Sequence, residues 1–251
     1  MTTHPQDVFV RTPRFIGVIT PSGNTVVERV TLAIMSHFPG LTPLFSRTPV
    51  FGESDPFPQS YGVDDMLAAA QLLAHAKPDV LLWNGSKGAK IGIEHDREFC
   101  AQVQAETGIR CSSSIIAMDE ALRSRGAKRV AIVSPYDSHY QEGLVAGVRA
   151  MGYEVVAERH VELKDNISFA AIPADTIAAM VRDAVAARPD AVLTLCTNFP
   201  AAPVIPALEA ETGIPMFDSV SIGVWQALRM LGIDTSPARD WGRLFAEQGR
   251  E

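Results

Sequence analysis

Three cysteines are present in the 251-residue chain, and one of them stands where chemistry is done. Residues 187–198 read ARPDAVLTLCTN, an apolar run bounded by proline that ends on Cys196 and opens into a loop before an expected helix. The carboxyl end of a strand is where α/β proteins present reactive groups. There a thiolate gains from unpaired N–H groups at a helix start. The plainer reading is a small buried apolar residue, as most free cysteines are, and Cys100 and Cys111 are assigned to it. Residues 76–87 read AKPDVLLWNGSK in the same register, with Pro78 matching Pro189 and Asp79 matching Asp190. Gly85 holds the place of Cys196, so one copy has a thiol and its twin has only hydrogen.

Around these two positions the sequence gathers polar groups suited to a small anion. Tyr136 follows a strand-ending proline, and its hydroxyl could bind a carboxylate or move a proton. Asn24, Asn166 and Asn198 are neutral donors in expected loops, where asparagine also serves as a cap or turn residue. Hydroxyls come from Ser22, Thr25, Ser86, Ser112, Ser113, Thr197 and Ser219. With backbone N–H groups at helix starts, this set suits a small dicarboxylate or its enolate. Lys87 and Lys90 could attract an anion or simply be solvated. The six histidines are scattered, with His95 beside two acids at a helix start, so no metal site is expected. No GxGxxG, Walker loop or GxSxG is present, which removes the usual supports of nucleotide, phosphoryl and serine-hydrolase chemistry.

The elements that must position these groups repeat. An expected strand over 14–20 leads through Pro21, Ser22, Gly23 and Asn24 into a helix over 25–37, then a strand over 43–47. Residues 48–62, TPVFGESDPFPQSYG, are too long and too rich in Pro, Gly and Ser for a plain connection and read as a lid. A helix over 64–76, a strand over 80–83 and a helix over 94–107 follow. AETGIRCSSSIIAMDEALRSRG at 105–126 then aligns with AETGIPMFDSVSIGVWQALRMLG at 210–232, allowing a one-residue gap. The chain is therefore read as a duplicated α/β protein of two pseudo-symmetric halves. Each half is a four-stranded parallel sheet flanked by helices, and the active site lies between them. The first half takes residues 1–113, joined by the closing segment 219–251; the second takes 114–218. The crevice beyond the strand ends should be lined by Pro21 to Asn24 and the loop after Gly85 in one half. In the other it should be lined by Tyr136 and the loop from Cys196 to Asn198.

With 47% hydrophobic residues the chain can fill a sizeable core, and a net charge of -7 without a basic cluster argues against nucleic acid as a partner. No apolar run reaches the roughly 20 residues that span a bilayer, and the first 13 residues lack a signal-peptide core. A cytoplasmic protein with reduced thiols, no membrane partner and a loosely held arm over residues 1–12 is expected. A homo-oligomer is compatible with the sequence.

Taken in order, GVITPSGNT, LLWNGSKGA, IVSPY, KDN at 164–166, TLCTN and WGRLF at 241–245 give the chain a resemblance to the aspartate/glutamate racemase superfamily. Within it the sequence is most similar to the arylmalonate decarboxylase and maleate cis-trans isomerase group. The resemblance implies an enzyme without cofactor, working by acid/base or nucleophilic cysteines across one pocket. It departs from the two-cysteine pattern of racemases and isomerases at Gly85, which favours one-sided chemistry. The reading preferred on these grounds is a decarboxylase of a substituted malonate. One carboxylate leaves an apolar wall, against Trp83 or Phe199. Ser86, Tyr136 and Thr197 hold the enediolate, and Cys196 protonates it. The alternatives are a maleate-type isomerase or a racemase using the same cysteine, with Asn24 and Asn166 on the carboxylates, and a non-catalytic dicarboxylate sensor.

Overall fold

A computed structural model describes residues 13–246 apart from Ser54 and Pro56; the arm expected over 1–12 lies outside the described residues. Strands of continuous apolar character, Val80–Trp83 and Ala191–Thr194 among them, are buried along their whole length, as parallel strands covered on both faces must be. The first half runs β1 (Arg14–Pro21), α1 (Val27–Met35), β2 (Leu41–Thr48), α2 (Val63–Ala74), β3 (Val80–Trp83), α3 (Gly88–Ile91), α4 (Ile93–Thr107) and β4 (Cys111–Ser113). After α5 (Ser114–Ser124) the second runs β5 (Arg129–Val133), α6 (Ser138–Ala150), β6 (Glu154–Arg159), α7 (Asn166–Phe169), α8 (Ala174–Val185), β7 (Ala191–Thr194), α9 (Ile205–Thr212) and β8 (Met216–Asp218). Helices α10 (Ser221–Met230) and α11 (Arg243–Ala246) close the chain. Each half holds one four-stranded parallel sheet, ordered β2-β1-β3-β4 and β6-β5-β7-β8.

The repeated sequence folds into repeated geometry. In both copies of Glu-Thr-Gly-Ile the glycine ends its helix in the left-handed region, with φ of 74° at Gly108 and 73° at Gly213. A side chain there would be strained. The preceding threonines donate to a carbonyl one turn back, Thr107 to Val103 and Thr212 to Leu208, each at 2.7 Å. The paired Pro-Asp dipeptides also agree: Asp79 accepts from Phe15 N at 2.8 Å, and Asp190 from Lys128 N and Arg129 N at 2.8 Å. Each carboxylate thus ties the start of the third strand of its half to the start of the first.

One large apolar cluster runs through both halves and joins Val18 and Leu82 of the first sheet to Ile132 and Leu193 of the second. The closing segment divides between them. Helix α10 packs on α1, β3 and β4 as well as on β8 and α5, whereas α11 packs on α10 and β8. Arg243 N donates to the Glu209 carboxylate at 2.7 Å, which holds the start of α11 to the second half.

Candidate active site

Five strands of the two sheets end at one cavity of about 540 Å³, β2 among them through Thr48. β1 delivers Pro21, β3 delivers Gly85 and Ser86, β5 delivers Tyr136, and β7 delivers Cys196 and Thr197. This is the crevice beyond the carboxyl ends that a parallel sheet offers to ligands. Asn166, at the start of α7, also reaches the wall. Of the residues singled out in the sequence, Thr25, Lys90, Ser112, Ser113, Phe199 and Ser219 do not line it, nor do three expected to bind substrate, Ser22, Asn24 and Asn198.

Those three have structural work. Asn24 Oδ1 accepts from Val26 N and Val27 N at 2.8 Å each, fixing the turn that starts α1, and its Nδ2 donates to Thr197 Oγ1 at 3.0 Å. Asn198 accepts from Thr25 N at 2.9 Å and donates to Asn166 O at 2.6 Å. Both are buried and link the halves beside the cavity. Ser22 Oγ bonds Val50 through both N and O, at 3.0 and 3.3 Å, so it anchors the expected lid. Ser219 and Ser113 likewise support backbone: Ser219 Oγ accepts from Cys196 N at 3.3 Å, and Ser113 caps α5. Phe199, offered as an apolar wall, is fully buried in the core of the second half, and Trp83 lines the cavity instead.

Cys196 is nearly fully buried, and burial pushes its thiol up to about 12; the Tyr136 hydroxyl and the N–H groups of Asn198 and Phe199 pull the other way. The expected helix start is not beside the sulfur, since a 3₁₀ turn begins only at Ala202 and α9 at Ile205. The thiol therefore rests protonated, contrary to the thiolate anticipated from the sequence. Tyr136 stacks on Tyr140 at 4.1 Å, meets Phe169 edge-on at 5.4 Å, and has its hydroxyl 3.4 Å from Ser86 Oγ. Burial raises its phenol well above the ordinary value. Ser86, Tyr136 and Cys196 thus form a hydroxyl-to-thiol chain from one half to the other.

The Gly85 wall is closed. A Cβ built on Gly85 overlaps Trp83 Cζ2 and Cε2 outright and comes within 2.9 Å of Cη2. The indole thus lies over the glycine and occupies the space of the missing second side chain. Trp83 Nε1 donates to Tyr61 Oη at 3.2 Å, and Tyr61 donates to Asp96 Oδ1 at 2.6 Å. Burial lifts the Asp96 carboxyl to about 6.

Residues 49–62 form neither helix nor strand among the described positions and contribute Val50, Phe51, Asp55, Phe57 and Tyr61 to the cavity. Gly23 N donates to Val50 O at 2.9 Å, and Lys87 Nζ donates to Asp55 at 2.8 Å and to Phe57 O. Lys87 therefore lines the cavity but is engaged by the loop, while Lys90 lies over the Tyr140 ring at 4.2 Å. Sequence reasoning missed Tyr140 and Lys164 on the wall. Their signals were the four-residue spacing from Tyr136 and the lysine of Lys-Asp-Asn. Among the described residues, no group of three or more His, Cys, Asp or Glu could hold a metal ion, and no helix is long and apolar enough to cross a membrane.

Two parallel α/β halves that hold a cysteine and a tyrosine in the crevice between them define the class. The arylmalonate decarboxylase family model matches residues 58–245, and the chain belongs to that family. It is 31% identical over 231 residues to the maleate isomerase of Nocardia farcinica, covering 88% of this chain and 91% of that one. It is 27% identical over 158 residues to the arylmalonate decarboxylase of Bordetella bronchiseptica, covering 62% and 66%. A cysteine-to-serine variant of the Nocardia farcinica enzyme, solved with a covalently bound succinylcysteine intermediate, superposes with a TM-score of 0.82. It is 28% identical and covers 94% of this chain and 99% of that one.

Proposed function

We propose that the protein is a cofactor-free isomerase of a small cis-enedioate of the maleate type, with Cys196 adding to the double bond. The likeness to a maleate isomerase along nearly the whole of both chains carries this reading. For that reason the decarboxylase preferred from the sequence becomes the second reading. The neutral Cys196 thiol adds across the olefin: sulfur bonds one carbon, and the thiol proton reaches the other by way of the Tyr136 hydroxyl. The carbon–carbon bond, now single, rotates. Loss of a proton from the second carbon and cleavage of carbon–sulfur then release the trans acid and restore the thiol. Ser86, Thr197 and Asn166 supply neutral donors for the carboxylates, and Lys164 adds positive charge to the wall, Lys87 being paired with Asp55.

One observation favours the second reading, decarboxylation of a substituted malonate. The thiol stands on one side, while the Gly85 side is filled by an indole, so a carbanion could be protonated from one face only. Proton NMR of the enzyme with maleate and, separately, with phenylmalonate distinguishes the two. Fumarate formation supports the isomerase, and phenylacetate formation supports the decarboxylase. Turnover of maleate by a folded Cys196→Ser variant at the wild-type rate refutes the role given to the thiol.

A further inference from the structure

We infer that Trp83 is a specificity-determining residue: it closes the Gly85 wall, so that the carbon engaged by Cys196 can carry only hydrogen or a very small group on that side. The inference deepens the reading of the cavity as a site for a small dicarboxylate and rests on it for the identity of the substrate.

The observations are geometric. In the twin positions after β3 and β7, Cys196 has a side chain and Gly85 has none, yet the space above Gly85 is not open. The Trp83 indole lies so close that even a methyl group there overlaps two of its ring atoms. Trp83 is the last residue of β3 and Gly85 follows it in the loop, and a Cβ at Gly85 would point straight into the indole. Both line the cavity together with Cys196. Tyr136 bridges the two walls, with its hydroxyl near Ser86 on the Gly85 side and bonded to the thiol on the other. A carbon held at the sulfur therefore looks across the cavity toward the indole.

The indole is fixed in that place. Its N–H is held by Tyr61, which meets it edge-on at 5.8 Å and passes its own proton toward buried Asp96. Phe99 packs against it edge-on at 6.5 Å. Tyr61 and Asp96 are positioning residues in this scheme. The rest of the cavity extends under residues 49–62, where the second arm of a substrate finds room, so the restriction applies to one direction only.

Alkylation of Cys196 reads this space directly, because an α-bromo acid delivers its α-carbon to the sulfur as bromide leaves. Bromoacetate, 2-bromopropionate and 2-bromo-2-phenylacetate are compared by mass spectrometry of the Cys196 peptide, each rate normalised to that with free glutathione. Wild type should discriminate against the phenyl reagent by a hundredfold or more. Trp83→Ala should cut that discrimination at least tenfold, Trp83→Phe less, and Tyr61→Phe should move it the same way by releasing the indole N–H. Circular dichroism selects folded variants, and Trp83→Phe keeps the test usable where alanine does not fold. Equal normalised rates in wild type, or discrimination unchanged in both Trp83 variants, overturns the inference. Lack of turnover of maleate and malonates would remove the functional reading while leaving these ratios to stand or fall separately.

Discussion

Replacing Gly85 with cysteine would restore the symmetry of the duplicated site, and the structure says what it costs. The new Cβ lies within the ring atoms of Trp83, at 2.9 Å from Cη2 and closer to two others, against the 3.5 Å or more of ordinary contact. Relief requires the indole to move by about 1 Å or more, but Tyr61 holds its N–H and Phe99 backs it. Overpacking of this kind costs about 1–3 kcal/mol, and loss of the Nε1 bond adds about 1 kcal/mol. A total of about 3 kcal/mol corresponds to a fall of about 6–12 °C in Tm for a chain of this size. Scanning calorimetry at fixed pH and buffer measures it. Combining Gly85→Cys with Trp83→Phe should recover part of the loss, since the two positions contact each other and their effects are not additive. A Gly85→Cys protein that melts with wild type would refute the reasoning, because the indole would then be free to leave.

Tyr136→Phe keeps the stack on Tyr140 and the edge contact with Phe169 but removes the hydroxyl shared with Ser86 and Cys196. Turnover should fall by about a hundredfold or more while circular dichroism stays unchanged. Because burial favours the protonated Cys196 thiol up to about 12, its alkylation in the folded enzyme should rise tenfold per pH unit between pH 8 and 10; the unfolded chain should level off near 9. Asp96 has a folded pKa of about 6, above the unfolded value near 3.9. Its favourable contribution is therefore complete below pH 4 and is lost as pH rises through 6. The loss is about 2–3 kcal/mol at most. Asp96→Asn should flatten that part of the pH profile in urea titrations at pH 4.5 and 7.5, and an unaltered slope would argue against it. Asn24→Ala removes two turn-forming bonds and a link between halves, for a stability loss of about 1–3 kcal/mol in urea.

The fold was legible in the sequence because duplication doubled every signal. The twin runs before Gly85 and Cys196 marked buried strands, and the two Glu-Thr-Gly-Ile copies marked equivalent helix ends, where only backbone freedom at Gly108 and Gly213 matters. At the cavity, Cys196, Tyr136, Ser86 and Thr197 could be found because a strand end fixes where the next residues go. What sequence could not give was the direction of side chains in competition for partners. Asn24 and Asn198 read as substrate ligands, yet amide groups near a helix start are claimed by backbone N–H groups first. The state of Cys196 was missed for a similar reason. A short 3₁₀ turn separates it from α9, and the helix effect falls off within one turn. Nor does a glycine in a sequence reveal what fills the room above it.

The amide links beside the cavity also bear on how a substrate enters. Asn24 to Thr197 and Asn198 to Thr25 are hydrogen bonds that cross from the first half to the second beside the cavity. A clamshell opening of the two halves would break them together. The 49–62 segment is fastened in two ways: its outer part is held by Ser22, Gly23, Asn166 and Lys87, whereas its end is held inside by the buried Tyr61 hydroxyl on Asp96 and Trp83. Salt that weakens the Lys87 to Asp55 pair should therefore speed passage past the outer part of the segment while Tyr61 keeps the indole in place.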